Sequence, residues 1–196
     1  MRVSGKLNPV ILVHGIWDTE RVFQRMATSL REKGWPVYCV NLMPNDGTVG
    51  LDILAQQVGD YIANTFEADQ PLNLVGFSMG GLISRYYVQR LGGLERIQKL
   101  ITISSPHHGT MTAYVRNLPG YVQMRPGSDF LLDLERDVAV LEQVNLTSLW
   151  TPWDVMIVPA TSSKMPVGKN IEINNVFIHS LMLTSQAVIN HLIAIL

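Results

Sequence analysis

Leu72-Asn73-Leu74-Val75-Gly76-Phe77-Ser78-Met79-Gly80-Gly81 is the stretch that decides how this chain folds. Its first residues run apolar like a buried strand, and Leu82, Ile83, Tyr86, Tyr87 and Leu91 recur behind it at helical spacing. Ser78 therefore stands at the apex of a sharp strand-to-helix turn. Such a turn holds its central residue in a strained backbone conformation and presents the side chain at the strand end. Gly76 and Gly80 have a physical reason, because a Cβ at either would collide with the neighbouring strand or helix. The string Gly-x-Ser-x-Gly by itself also describes an ordinary glycine-rich turn, so the rest of the chain must supply the machinery that a reactive serine needs.

Outward from this turn, short β-branched runs alternate with longer segments of helical period. Pro9 to Ile16, Val37 to Met43, Leu72 to Phe77, Lys99 to Ser104, Leu146 to Trp150 and Asn170 to Val176 are the strand candidates. Leu51, Leu54, Ala55, Val58, Tyr61 and Ile62 mark a helix between the second and third, and Ser180 to Leu196 carries the same period at the end of the chain. Strands that run apolar on both faces, joined by helix-length crossovers, predict an α/β fold: a mostly parallel sheet of about six strands with helices on both faces. Right-handed crossovers put the C-terminal strand ends on one edge, where chemistry is expected. Thr110 to Arg125 offers no clear element.

The 196 residues are 47% hydrophobic and 16% charged, which fits one domain over residues 1–196 with a large core for its size. A formal net charge of -1 and the absence of any Lys/Arg run argue against a nucleic-acid partner. Arg2 and Lys6 precede Val10-Ile11-Leu12-Val13, an apolar run too short for a signal-peptide core, and no run reaches membrane-spanning length. The single cysteine, Cys39, excludes an internal disulfide and reads as a small buried hydrophobe in a strand. A reducing, cytoplasmic setting is the expectation. Cysteine and histidine spacings form no zinc pattern, and no metal or organic cofactor is called for.

A serine nucleophile needs a base, a carboxylate to orient that base, and donors for the oxyanion. Asp154 lies just past the run ending at Trp150, and His179 follows the strand-like run Ile171 to Ile178, ahead of the final helix. The order Ser78, Asp154, His179 is that of the α/β-hydrolase fold. His107 and His108, in Ser105-Pro106-His107-His108-Gly109-Thr110, come before Asp154 and read as loop or pocket-wall residues. His191 falls inside the last helix, and His14 is expected to brace the loop after the first strand. In this fold the oxyanion donors are the backbone N–H of the residue after the nucleophile and one from the loop after an early strand, here Met79 and Ile16. The helix that Met79 opens adds its positive end.

The chain resembles the bacterial lipases and esterases of the α/β-hydrolase superfamily, most closely small forms without a large lid or cap domain. The resemblance lies in His14-Gly15-Ile16, Gly76-Phe77-Ser78-Met79-Gly80-Gly81, Ile103 to Thr110, Pro126-Gly127-Ser128, and Asp154 with Val158-Pro159. It implies hydrolysis of carboxylic esters, acyl lipids foremost, through an acyl-enzyme on Ser78 with His179 as base and Asp154 as its partner. Phe77 stands where many such proteins have histidine, and Ile178 where a glycine often precedes the catalytic histidine. The chain shows no signal-peptide pattern, so, unless it is already a processed form, membrane lipids or smaller esters are the expected substrates, with transient contact at a lipid interface and an oligomeric state left open.

Trp17, Met43, Met79, Met111 and Tyr114 lie near strand ends or in the irregular stretch, and Trp17, Met111 and Tyr114 are the candidates for substrate binding. Residues 110–125 read either as a flap over the site or as a helix packed on the core. Two other function classes use the same scaffold. An acyltransferase would share the acyl-enzyme and pass it to a second alcohol, and a non-catalytic binding protein would be expected to lack a triad residue or an elbow glycine.

Overall fold

The computed structural model describes residues 7–196, so Arg2 and Lys6 lie outside it. Six strands are present where six were expected: β1 (Val10–Val13), β2 (Val37–Val40), β3 (Leu72–Phe77), β4 (Ile97–Ile103), β5 (Thr147–Trp150) and β6 (Lys169–Glu172). They form one sheet in the order β2-β1-β3-β4-β5-β6, every pair parallel. The winding reverses at β1: the chain steps outward to β2, returns to β3 on the other side, and then proceeds steadily to β6.

That reversal sorts the helices. With right-handed crossovers, α1 (Gln24–Glu32), which links β1 to β2, covers one face, while α2 (Leu51–Thr65) and α3 (Met79–Arg90) cover the other. The side chains follow with the strand period of two. Val10 and Leu12 pack with Phe23, Met26 and Leu30 of the α1 side. Ile11 and Val13 pack with Leu54, Val58 and Leu82 of the α2 and α3 side. All four β1 residues are buried, which is why the run shows no polar alternation. The reversal also opens a crevice between the C-terminal ends of β1 and β3, where ligands bind in open α/β sheets.

After β4 come a 3-10 turn at Met111–Val115 and the short helices α4 (Pro119–Gln123) and α5 (Asp129–Glu135). Residues 110–125 are thus built of two short elements. Arg90 at the end of α3 reaches Asp133 at 2.8 Å and Asp137 at 2.7 Å, and the fully buried Arg85 donates to the Leu134 carbonyl at 2.8 Å, so α5 is pinned to α3. Cys39 is only partly buried and packs against the α1 side.

Two expectations at the end of the chain need correction. The run Ser180 to Leu196 is not one helix: a 3-10 turn, His179–Leu183, is separated from α6 (Gln186–Ile195) by Ser185, whose extended backbone breaks the period. β6 stops at Glu172, because Asn174 and Asn175 form a turn, and residues 173–178 carry the chain as a loop to His179. Leu12 has no exposed surface. Leu12→Ala is expected to destabilise the fold by about 2–5 kcal/mol, read as a lowered urea midpoint with an unchanged slope.

Candidate active site

Ser78 has φ 53° and ψ -124°, a conformation that L-residues avoid, so the turn after β3 is strained as its sequence predicts. The surroundings hold it there. The Ser78 N–H donates to the Ile103 carbonyl of β4 at 2.8 Å, and its own carbonyl accepts from the Gly81 N–H at 3.0 Å. A Cβ on Gly80 would stand 2.2 Å from the Val13 carbonyl oxygen, and one on Gly76 would stand 2.5 Å from that of Gly80. Only two bare backbones let the start of α3 press against the ends of β1 and β3.

β1 ends in His14, which is fully buried. Its Nε2 accepts from the Leu42 N–H at 3.0 Å and its Nδ1 donates to the Gly15 carbonyl at 2.8 Å, so the neutral ring ties the loop after β1 to the segment after β2. The Trp17 N–H donates to the Asn45 carbonyl at 2.8 Å, and Trp17 itself lies at φ 60°. Among the described residues, neither Ile16 nor Met79 gives its N–H to an acceptor in the protein. Two unspent donors thus flank the crevice, and Met79 is also the first residue of α3.

The segment after β5 carries Asp154. Its Oδ1 accepts from the N–H groups of Met156 and Ile157, both at 3.0 Å, and its Oδ2 accepts from His179 Nδ1 at 2.7 Å. Burial works to raise this carboxyl, but the His179 hydrogen bond and charge and the two amides outweigh it and hold it below its usual range. An ionised Asp154 fixes the proton on Nδ1 and leaves Nε2 of His179 as the acceptor. Phe77 lies against the imidazole, with ring centroids 4.8 Å apart. Thr110 and Thr112 clamp the Asp154 loop from the other side, each hydroxyl donating to the Met156 carbonyl, at 2.9 and 2.7 Å.

Ser78 and His179 are each 9% exposed and open onto a common cavity of about 340 Å³ that Asp18, Val155 and Ile178 also line. A second cavity of about 320 Å³ adjoins Ser78 and is walled by Ala113, Val115, Tyr121, Met124 and Ile157. Ile16, Trp17, Ser78 and Met156 belong to both, so the serine sits at their junction.

The structure brings together Ser78, Asp154, His179, Ile16, Met79 and Trp17. Met111 and Tyr114 do not reach the two cavities. The 3-10 turn directs Thr112, Ala113 and Val115 toward Ser78, leaving Met111 exposed and Tyr114 at a separate depression under the Arg125 guanidinium, 4.8 Å from its ring centre. Met43 is exposed and lines neither cavity. Sequence reading passed over Asp18 and the Thr110–Thr112 clamp. The first had a faint signal, being four residues past His14, and the second had none because its partners are distant in the chain.

The fold is that of an α/β-hydrolase. The mature lipase BlEst2 of Bacillus licheniformis superposes with a TM-score of 0.75 over 97% of this chain and 92% of that one, at 13% identity. The thioesterase domain of the curacin biosynthetic pathway gives 0.71 over 95% and 91%, at 17% identity. In sequence, a triacylglycerol lipase of Pseudarthrobacter phenanthrenivorans is 31% identical over 110 residues, 52% of this chain and 34% of that protein. Palmitoyl-protein thioesterase 3 of Dictyostelium discoideum is 26% identical over 117 residues, 57% of this chain and 40% of that protein. The chain spans about a third of the length of the lipases it matches. Residues 9–153 match the family model of palmitoyl protein thioesterases, and the chain belongs to that family.

His107 is buried beyond the cavities, with Nε2 3.0 Å from Thr102 Oγ1 and Nδ1 without a partner among the described residues. Burial, with Arg85 and His108 adding to it, holds this imidazole well below its ordinary range. The unfolded chain therefore takes up a proton that the native state refuses. Stability is full above the unfolded value of about 6.5 and falls as pH drops toward the lower folded value. Asp154, also depressed, contributes above about 3.9 and is lost below it. Urea midpoints measured against pH are expected to flatten in the upper window for His107→Gln and in the lower one for Asp154→Asn.

Proposed function

We propose that this protein is a serine hydrolase of acyl thioesters and esters, working through an acyl-enzyme on Ser78. The observation that carries this reading is the His179–Asp154 hydrogen bond, 2.7 Å, beside a strained serine at the junction of two cavities. Its membership of the thioesterase family supports a thioester among its substrates, and the lipase relatives support an oxygen ester. Residues 7–196 act as one hydrolase unit without a separate cap.

In the first half-reaction His179 Nε2 takes the Ser78 proton as Oγ attacks the carbonyl carbon. The N–H groups of Ile16 and Met79 bind the oxyanion, each worth about 2.7–4 kcal/mol in the transition state, with the positive end of α3 behind Met79. The intermediate collapses as the carbon–sulfur or carbon–oxygen bond breaks, and the leaving atom takes the proton from His179. Water repeats the cycle on the acyl-enzyme, giving its proton to His179 and its oxygen to the acid product, and Ser78 is restored. Asp154 holds the imidazole in the required tautomer and stabilises its cationic form. The apolar cavity walled by Ala113 and Met124 takes the acyl chain.

Around the mouth, Trp17, Val115, Val155, Met156 and Ile178 expose apolar surface, with Val115 71% and Val155 69% exposed. A patch of this kind suits a lipid surface or a lipid-bearing substrate that delivers its acyl chain to Ser78. A fluorophosphonate probe is expected to modify Ser78 and no other residue, as read by peptide mass spectrometry, and labelling is expected to vanish in Ser78→Ala and His179→Ala. Steady-state turnover should fall about 10⁶-fold in Ser78→Ala and about 10⁴-fold in Asp154→Asn. Ala113→Phe should shift the preferred acyl chain to shorter lengths in a chain-length series, by filling the apolar cavity.

A further inference from the structure

The two cavities that meet at Ser78 differ in chemistry. Among the described residues, no charged side chain lines the one walled by Ala113 and Met124. The other contains His179, which in the reading above must protonate the departing atom, so the leaving group has to lie there. Among the described residues, that second cavity is lined by one carboxylate, Asp18, and by no lysine or arginine.

Asp18 is built into the site. It ends the tight turn in which its N–H donates to the Gly15 carbonyl at 3.4 Å, and Asn45 Nδ2 donates to its carbonyl. Its Oδ2 and the Ser78 Cβ each come within 3.1 Å of the point where a Gly15 side chain would begin, so the carboxylate is held close to the nucleophile. Among the described residues it forms no ion pair, in contrast to Asp133, Asp137 and Asp154. Its half-burial pushes the carboxyl upward, and the neighbouring imidazoles and the Gly15 amide offset this only in part. A fixed negative charge in a partly dry cleft repels anionic groups and attracts cationic ones more strongly than it would in water.

We propose that the cavity between His179 and Asp18 is the leaving-group subsite, and that Asp18 makes it selective for thiols or alcohols bearing a positive charge. The proposal rests on Ser78 and His179 acting as described. The charged group is an ammonium or guanidinium a few bonds from the departing sulfur or oxygen, supplied by a quaternary-ammonium alcohol or thiol or by a basic residue beside an acylated cysteine. The bonding changes are those of acylation itself: Asp18 neither gives nor takes the proton and acts on the orientation and local concentration of the leaving group.

The test uses one acyl chain on a series of leaving thiols, assayed at about pH 8, above the carboxylate range. The small members are thiocholine, 2-mercaptoethanol and mercaptopropionate. The peptide members are N-acetylcysteine peptides flanked by lysine or by glutamate. For the wild-type protein, kcat/KM is expected to be at least about tenfold higher for a cationic member than for its anionic counterpart. In Asp18→Asn that ratio should fall to within about threefold of unity. A preference in either pair that collapses in Asp18→Asn supports the assignment, and the pair that shows it tells a small ammonium thiol from a basic peptide.

A wild-type ratio near unity in both pairs, or a preference that survives in Asp18→Asn, overturns it. If that variant does not fold, the wild-type ratio should shrink between about 0.02 and 0.5 M salt, and a ratio indifferent to salt overturns the assignment equally. Turnover of the series without charge preference sinks only the role of Asp18. No turnover together with no fluorophosphonate labelling of Ser78 sinks the hydrolase reading as well.

Discussion

The close approach of bare backbone at the start of α3 to the ends of β1 and β3 is the constraint on which the rest of this structure depends. Ser78 stays at φ 53° because Gly76 and Gly80 let main chain meet main chain at distances no Cβ would tolerate, and because the sheet on either side is buried. The strain is thus carried by the whole β1-β3-β4 packing. One consequence is orientation, since the serine projects from the C-terminal edge of the sheet. The other is electrostatic, since the same turn leaves the first amide of α3, next to Ser78 and at the positive end of that helix, without an acceptor among the described residues.

The groups around that serine come from segments with no regular structure of their own, and each is tied down by hydrogen bonds to another such segment. His14 links the loop after β1 to the chain after β2, Asn45 fixes the turn at Trp17, and Thr110 and Thr112 hold the Asp154 loop through the Met156 carbonyl. Rigid placement of loop residues on a buried scaffold is what a preorganised site requires. It also explains why buried polar residues with no part in proton transfer, His14 among them, crowd the carboxyl edge of the sheet. His107 belongs to the same layer, neutral and bonded to Thr102.

Ser78 lies at the meeting point of an apolar cavity and one that contains a histidine and a carboxylate, and the proposed reaction assigns the two halves of an acyl substrate to them. Differences of substrate among proteins of one fold fall on loop residues that line the cavities. Here Ala113, Val115, Tyr121 and Met124 line the apolar cavity, Asp18, Val155, Ile178 and Ser180 line the other, and Ile16, Trp17 and Met156 line both.

Much of this was legible in the chain because its signals are local. Apolar runs and helical periods marked all six strands and the helices α2 and α3, since a strand buried on both faces must be apolar throughout. The elbow was legible because glycine is the only residue that satisfies its contacts, and the order Ser78, Asp154, His179 followed the succession of strand ends. The break at Ser185, the early end of β6, the outward turn of Met111 and Tyr114, and the presence of Asp18 beside Ser78 were decided only by the tertiary structure. These depend on which loops lie against one another after the sheet has closed. A loop's conformation is set by hydrogen bonds to partners tens of residues away, and no periodicity in the chain records them.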